Sequence, residues 1–412
     1  MKLLTFLGTG RYHETTYLWN EQEYTAWYAP AAGVAFLKPE QLVVFLTKEA
    51  EEEVFPKFRS ALPENLKVLP RHVPLGRTEA ELWDIFSALL QVVEPGDEIA
   101  FDITHGLRSF PFVALLVAAY MRAVMNVHIQ AVLYGAFEVR DTSVTPNRAP
   151  MFDLSPMLAL LEWAAATDRF NRTGDARYLS SLLRGQQKNL ALRWREQREQ
   201  LGLLSGLGNL AGNLEKISQA LRLIRPHETM KLAHDLPGYV EKARPVLQHA
   251  VGALPFARLL DSVIQTYLPL ESATPYEQKE ALEKERRLIR WYAEREHWVQ
   301  AAALAREWLV SWVMAHLEIG PETSSAERHR VEGFINAEAA AFLQAKEEGR
   351  SFVPVFLRDI PQPESLLGLW KSFTDVRNDI LHAGMRDEPK PSSTLIKQIQ
   401  NALKAIERMP LP

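Results

Sequence analysis

Signals for β-strands and α-helices alternate along the first 150 or so residues, and this alternation limits the possible folds more than any other feature. Apolar runs of strand length include residues 3–7, 42–46 and 98–103. Between them, residues 79–93 and 112–121 carry apolar side chains at helical spacing or in a continuous run. Strands that alternate with helices predict a mainly parallel, doubly wound, Rossmann-like sheet. Shorter strands are expected at residues 24–28, 66–69 and 128–133.

The strand signal ends after Asp153, and the rest of the chain has only helical patterns. A length of 412 residues is enough for two or three domains that each bury a core. We therefore expect an α/β domain over residues 1–160 and an all-α part behind it. The helical part is divided into residues 161–290, a linker or inserted helical domain, and residues 291–412, a C-terminal helical domain.

Composition and charge exclude several classes of function. The chain has no cysteine, which rules out disulfides, thiolate zinc sites and cysteine nucleophiles and fits a reducing, cytoplasmic compartment. The formal net charge of −4 indicates that a polyanionic partner would meet local basic groups rather than the whole surface. The longest apolar run, residues 112–121, is too short to span a bilayer and predicts a buried helix. No histidine spacing typical of a metal site occurs, so no metal cofactor is expected.

Two strand ends carry glycines and polar residues of the kind that bind phosphate. Gly8-Thr9-Gly10 follows the first strand, and the sequence DITHGLRS closes the strand at residues 98–103. Ligands of open α/β sheets bind at the carboxyl ends of the strands, and glycine, hydroxyl and arginine groups suit a phosphate there. Ordinary βα turns also use glycine, threonine and serine, but the polar interruption favours a phosphate-bearing ligand. The candidate binding residues are Thr9, Gly10, Thr104, His105, Gly106, Arg108 and Ser109.

A second candidate site is the sequence RNDILH near the C-terminus, which contains Arg377, Asn378 and His382. Arginine can stabilise a pentavalent phosphate, and histidine can move a proton at neutral pH. On a helix, however, the arginine and histidine lie about 140° apart. By spacing alone, an ordinary polar helix surface is the better interpretation.

The two motifs in this order resemble those of the CARF–HEPN ribonucleases of type III CRISPR systems, in the branch with the D-x-T-H-G-x-R-S signature. The resemblance covers both ends of the chain but not the middle. It implies a CARF domain that binds a cyclic oligoadenylate, with cyclic tetra-adenylate as the expected ring, across the two-fold axis of a homodimer or higher oligomer. The seven turn residues named above match the ligand loops of that family.

The same resemblance implies metal-independent cleavage of single-stranded RNA by a HEPN domain. Arg377 and His382 match the family's R-x4-6-H motif, and Asn378 matches the polar residue that often follows the arginine. Attack by the 2′-hydroxyl would leave 2′,3′-cyclic phosphates. Both copies of the motif are then expected to meet at the dimer interface, which gives the 140° separation a purpose.

Three alternatives remain open at this stage. A ring nuclease would degrade the activator in the N-terminal domain, where Thr9 and His105 could contribute. A nucleotide-sensing regulator would have no ribonuclease activity, although no helix-turn-helix motif is evident. A metal-dependent DNase is disfavoured because no carboxylate cluster stands out in the sequence.

Overall fold

The chain forms two compact units in the computed structural model, which describes residues 1–106, 110–195, 198–249, 253–275, 277–319, 325–385 and 388–412. The units are Met1–Glu162 and Trp163–Pro412. Every strand found in the described residues lies in the first unit, and the second is helical. The predicted class, an α/β region followed by an all-α region, is therefore confirmed.

The first unit is built around one eight-stranded mixed sheet with the order β3-β2-β8-β7-β6-β1-β4-β5. Strands β7, β6, β1, β4 and β5 run parallel to one another, and β2 also pairs with β8 in parallel. The β7–β8 and β2–β3 pairs are antiparallel. The strands are β1 Lys2–Leu7, β2 Thr15–Trp19, β3 Gln22–Ala26, β4 Gln41–Leu46, β5 Lys67–His72, β6 Glu98–Asp102, β7 His128–Gly135 and β8 Asn147–Asp153.

Helices cover both faces of this sheet, as a doubly wound fold requires. They are α1 Ala29–Leu37, α2 Lys48–Glu53, α3 Phe55–Ser60, α4 Glu79–Leu90 and α5 Phe110–Met125. Side chains of a strand alternate between faces, so Leu3 and Leu7 pack in the cluster that contains α1 and α3, and Leu4 and Phe6 pack in the cluster that contains α4 and α5. Thr47, expected as an N-cap, accepts a hydrogen bond from Ala50 N and starts α2.

Two features of this unit differ from the sequence prediction. The β2–β3 hairpin extends back to residue 15, and β8 adds a final strand. Neither was predicted, because these partly polar sequences lack a continuous apolar run. The run predicted to form a buried helix lies in α5, but only one face of α5 is buried. Its other face exposes four large apolar side chains: Phe112 (65%), Leu116 (47%), Tyr120 (42%) and Val124 (62%).

The second unit packs its helices around one continuous apolar cluster, which extends from Ala166 to Ile406. Residue 290, where the sequence suggested a domain boundary, lies inside α11, and the cluster includes residues on both sides of it. The three-part division of the chain remains a prediction. The helices are α6 Ser155–Thr173, which begins in the first unit, α7 Arg177–Arg193, α8 Arg198–Arg222, α9 Pro226–His249, α10 Ala253–Tyr267, α11 Gln278–Glu294, α12 Trp298–His316, α13 Ser325–Glu347, α14 Pro363–Leu381 and α15 Ser392–Arg408.

No helix in the described part of the chain is both long and apolar enough to cross a membrane.

Candidate functional site

Hydrogen bonds from buried groups hold the turn after β6 in place. Asp102, fully buried, accepts the backbone N–H of Thr104 at 2.9 Å through Oδ1. The hydroxyl oxygen of Thr104 accepts the N–H of Gly135, at the end of β7, at 2.8 Å. The polar residues of this turn thus join the carboxyl ends of two neighbouring parallel strands.

The carboxyl of Asp102 sits in surroundings that disfavour its charge. Burial raises its pKa to about 6, although the bonds from Thr104 act in the opposite direction. Its second oxygen, Oδ2, has no hydrogen-bond partner among the described residues. The Asp102 carboxylate therefore takes up a proton near pH 6, a pKa well above the usual range of an aspartate.

His105 connects the same turn to α1. Its Nε2 accepts the N–H of Ala29, the first residue of α1, at 3.2 Å. Because a backbone amide only donates, Nε2 carries the lone pair and the neutral ring is protonated on Nδ1. Although part of the side chain reaches solvent, burial lowers its pKa to about 4. His105 is neutral at pH 7 and caps the start of a helix whose N-cap residue, Tyr28, makes no side-chain capping hydrogen bond.

The loop after β1 contacts this turn through Tyr12, which the sequence analysis did not single out. The Tyr12 ring meets His105 edge-on at 4.8 Å, and its hydroxyl donates to the carbonyl of Gly8 at 2.5 Å. Thr9 and Gly10, between these contacts, are exposed, and a Cβ at Gly10 would meet nothing within 4 Å. The structure thus places the predicted Thr9, Gly10, Thr104, His105 and Gly106 at one edge of the sheet, since β1 and β6 run parallel. Arg108 and Ser109 lie outside the described residues.

Three further residues extend the same edge. The rings of His13 and Phe137 stack in parallel at 5.4 Å, and the guanidinium of Arg140 lies 4.0 Å from the centre of the Phe137 ring. They belong to the loops after β1 and β7. The sequence prediction ended β7 at residue 133 and so did not relate Phe137 and Arg140 to the ligand edge. Stacked rings and a guanidinium are suited to a nucleobase and a phosphate.

The RNDILH motif occupies the end of α14, where the side chains of Arg377 and His382 are exposed and Asn378 is half-buried. His382 is the first residue beyond the helix, and its N–H donates to the carbonyl of Asn378 at 3.0 Å. The next residue, Ala383, has a φ of 51°, so the chain turns away there. Within the described residues the side chains of Arg377 and His382 form no hydrogen bond with each other.

The rest of α14 is anchored firmly. Trp370 and Phe373 are buried, and Trp370 Nε1 donates to the amide oxygen of Asn336 at 2.8 Å. The guanidinium of Arg306 lies 4.5 Å from the Trp370 ring. The helix therefore presents its exposed last turn from a fixed base. No group of three or more potential metal ligands occurs within the described residues.

A segment of the chain, most of it in the second unit, is similar to part of a CRISPR-associated protein. Residues 159–268 match the family model "CRISPR-associated protein MJ1674, second domain". The chain is 33% identical over 123 residues to CRISPR-associated protein MJ1674 of Methanocaldococcus jannaschii, a match that covers 29% of this chain and 19% of that protein. The match thus spans about a fifth of the relative's length. The range of the family model lies in the middle of this chain, to which the sequence motifs gave no assignment.

The fold is also similar to that of Enterococcus italicus Csm6 bound to cyclic hexa-2'-fluoro-hexa-dAMP. That comparison covers 98% of this chain and 92% of the other, at 12% sequence identity and a TM-score of 0.46. A similarity at this level supports no conclusion about the function of this chain.

Proposed function

We propose that this chain is a cyclic-oligoadenylate-activated endoribonuclease of type III CRISPR defence that cleaves single-stranded RNA without a metal. Residues 1–160 would form the CARF domain that binds the activator, and residues 291–412 the HEPN domain that cuts RNA. The observation that carries the proposal is the exposed Arg377 and His382 at the end of an anchored helix, in a chain that shares a segment with a CRISPR-associated protein.

The chemistry follows from the groups that are free to reach a substrate. Arg377 would hold the scissile phosphate and stabilise its additional negative charge in the transition state. His382 would take the proton of the 2′-hydroxyl or give one to the leaving 5′-oxygen. Asn378, half-buried beside them, would orient the RNA backbone. The expected products carry a 2′,3′-cyclic phosphate and a 5′-hydroxyl.

The activator would bind at the carboxyl edge of the sheet in the first unit. Thr9 and Gly10 are open to a ligand, and Arg108 and Ser109 follow Gly106 closely in the sequence. Thr104 and His105, by contrast, would shape the site through the backbone groups that they hold. A phosphate-rich ring with several adenines fits hydroxyl, amide and aromatic groups without a basic protein surface.

A homodimer is part of the proposal, and the exposed face of α5 supports it. Phe112, Leu116, Tyr120 and Val124 recur every four residues, which places them along one line of the helix. An apolar line of this kind, on a helix that buries its opposite face, is typical of an association surface. We call these four residues the α5 stripe.

The decisive experiment measures cleavage of a single-stranded RNA in the presence of EDTA, with and without cyclic tetra-adenylate or cyclic hexa-adenylate. Activation by one of the rings is the expected result, with end-group analysis showing 2′,3′-cyclic phosphates. If the folded, dimeric protein responds to neither ring, the proposal is wrong.

Slow cleavage of the ring itself is a second candidate function, favoured by the exposed hydroxyl of Thr9. It is tested by incubating the protein with the ring alone and following linear products. Nε2 of His105 accepts a hydrogen bond from the N–H of Ala29, so we assign no proton transfer in this reaction to that atom.

A further inference from the structure

A cavity of about 240 Å³ opens within the helical unit. Its wall is formed by the end of α6, the turn after it, α8, α11 and the start of α12, and none of its lining residues belongs to α14. It is therefore separate from the RNDILH motif in the chain, and none of the functions above uses it.

The charged groups of this cavity are mostly positive. Arg169 and Arg222 line it, and the guanidinium of neither makes a hydrogen bond or salt bridge within the described part of the chain. The one carboxylate in the wall, Asp175, is already engaged by Arg177, whose Nε and Nη2 lie 2.9 and 2.5 Å from its two oxygens. The two guanidiniums of the wall thus keep their donors available for an anion.

The turn between α6 and α7 is fixed in position at this cavity. Tyr267 donates its hydroxyl to the carbonyl of Gly174 at 2.7 Å, and Nε2 of His297 donates to the carbonyl of Thr173 at 2.7 Å. Gly174 has a φ of +67°, and a Cβ there would come within 2.0 Å of the Trp291 ring. The close approach of backbone and indole is possible only because this residue is glycine. A wall held in this way needs little reorganisation to bind a ligand.

The aromatic wall also contains an unused donor. Trp291 is 6% exposed, and its indole Nε1–H has no acceptor among the described residues. Most buried donors in proteins are paired. Because the Trp291 nitrogen is itself inaccessible to solvent, it is part of the wall and not a donor open to the cavity. The donors that the lining can supply to a ligand are those of Arg169, Arg222 and the Gln300 amide.

We propose that this cavity is a phosphate-binding subsite. Guanidinium and amide donors match the oxygens of a phosphate, and guanidinium does so in a two-pronged geometry. The cavity volume is below the roughly 300–1,000 Å³ of pockets for drug-sized ligands. It therefore suits one nucleotide rather than a cyclic oligoadenylate. The phosphate belongs either to single-stranded RNA, which rests on the proposed function, or to a free mononucleotide, which does not.

The test compares two double variants of the full-length protein. Arg169→Gln/Arg222→Gln removes both guanidiniums of the cavity wall, which are exposed enough to leave folding intact. Arg172→Gln/Arg287→Gln is the control, because it changes the net charge equally but removes arginines that pair with Asp168 and Glu283. Thermal unfolding checks that both variants fold. Binding is measured for a single-stranded 2′-O-methyl oligonucleotide, which cannot be cut by its own 2′-oxygen, and for AMP.

If the phosphate belongs to single-stranded RNA, the cavity variant should bind the oligonucleotide several-fold more weakly than the wild type does. Its plot of log K against log salt should also become shallower by about 0.7 for each phosphate that the variant no longer neutralises. The control should match the wild type in both. A loss of AMP binding with unchanged oligonucleotide binding would assign the cavity to a free nucleotide. If the wild type binds AMP but no oligonucleotide, and the cavity variant no longer binds AMP, the ribonuclease proposal fails and the subsite stands. Equal binding of both probes by both variants would overturn the subsite.

Discussion

The two candidate sites use their polar side chains in opposite ways. At the sheet edge of the first unit, Asp102, Thr104 and His105 are engaged with backbone N–H groups of the protein itself. At the end of α14, the side chains of Arg377 and His382 are exposed, and the buried face of the helix provides the packing. One set of residues shapes a surface, and the other is available for chemistry.

This difference separates two effects that a substitution can have. A change at the sheet edge should alter folding stability and the shape of the ligand loops together, because the side chains hold those loops. A change at the end of α14 should alter catalysis with little effect on stability, because the side chains there are exposed. Substitutions at the two places test this division, and the largest effect is expected at the end of α14.

His382→Ala should reduce RNA cleavage by about 100-fold to 10,000-fold, the usual contribution of a general acid or base. The midpoint of thermal unfolding and the affinity for cyclic oligoadenylate should stay unchanged, since the side chain is exposed. Single-turnover cleavage with saturating activator measures the first quantity and calorimetry the other two.

His329→Ala provides the matched control, as another exposed histidine of the helical unit. It should leave the cleavage rate close to that of the wild type. Normal cleavage by His382→Ala would remove the catalytic role of this residue and with it the contrast between the two sites.

Leu116→Glu should break the proposed dimer, because it places a charge in the middle of the α5 stripe. The residue is 47% exposed, so the monomer should still fold. Since a HEPN site is expected to combine residues from two chains, the monomer should lose RNA cleavage by at least about tenfold even though Arg377 and His382 are intact. Light scattering and cleavage rates decide this. A monomer that cuts RNA normally would contradict the composite site.

The sequence allowed the fold class to be predicted, for identifiable reasons. Continuous apolar runs such as residues 42–46 reveal buried parallel strands, because such strands are covered on both faces. The strand β8, Asn147–Asp153, was missed because it is partly polar and contains Pro150. The exposed face of α5 could not be foreseen, because an apolar run is the same whether a core or a partner covers it.

The candidate sites were less predictable than the fold. Thr104 and His105 were identified by type, but their partners, Gly135 and Ala29, are 31 and 76 residues away in sequence. Only the folded chain brings them together, so the sequence suggested ligand-binding side chains where the structure has internal hydrogen bonds. Tyr12 and Phe137 were missed because lone aromatic residues in loops have no distinguishing pattern.

The pH dependence of stability should reveal Asp102. Burial raises the pKa of this carboxyl from 3.8 to about 6 in the folded state. The folded protein therefore binds a proton more tightly than the unfolded chain, and stability due to this group falls as pH rises between about 4 and 6. The wild type should lose up to about 3 kcal/mol relative to Asp102→Asn across that window. Denaturant unfolding of both proteins at several pH values measures the difference, and parallel curves would show that Asp102 has an ordinary pKa.

Two glycines at the sheet edge should show the smallest difference between residues that hold the ligand loops and residues that are exposed. Gly106 has a φ of +134°, and an added Cβ would lie 3.1 Å from the Phe110 ring and 3.3 Å from Phe6. Gly106→Ala should therefore lower the free energy of unfolding by about 1–3 kcal/mol. It should also weaken binding of the cyclic oligoadenylate. Gly10 meets nothing within 4 Å, so Gly10→Ala should change stability by less than about 0.5 kcal/mol. If Gly10→Ala still weakens ring binding, Gly10 approaches the ligand directly, whereas equal stability losses in both variants would show that the two loops are held alike.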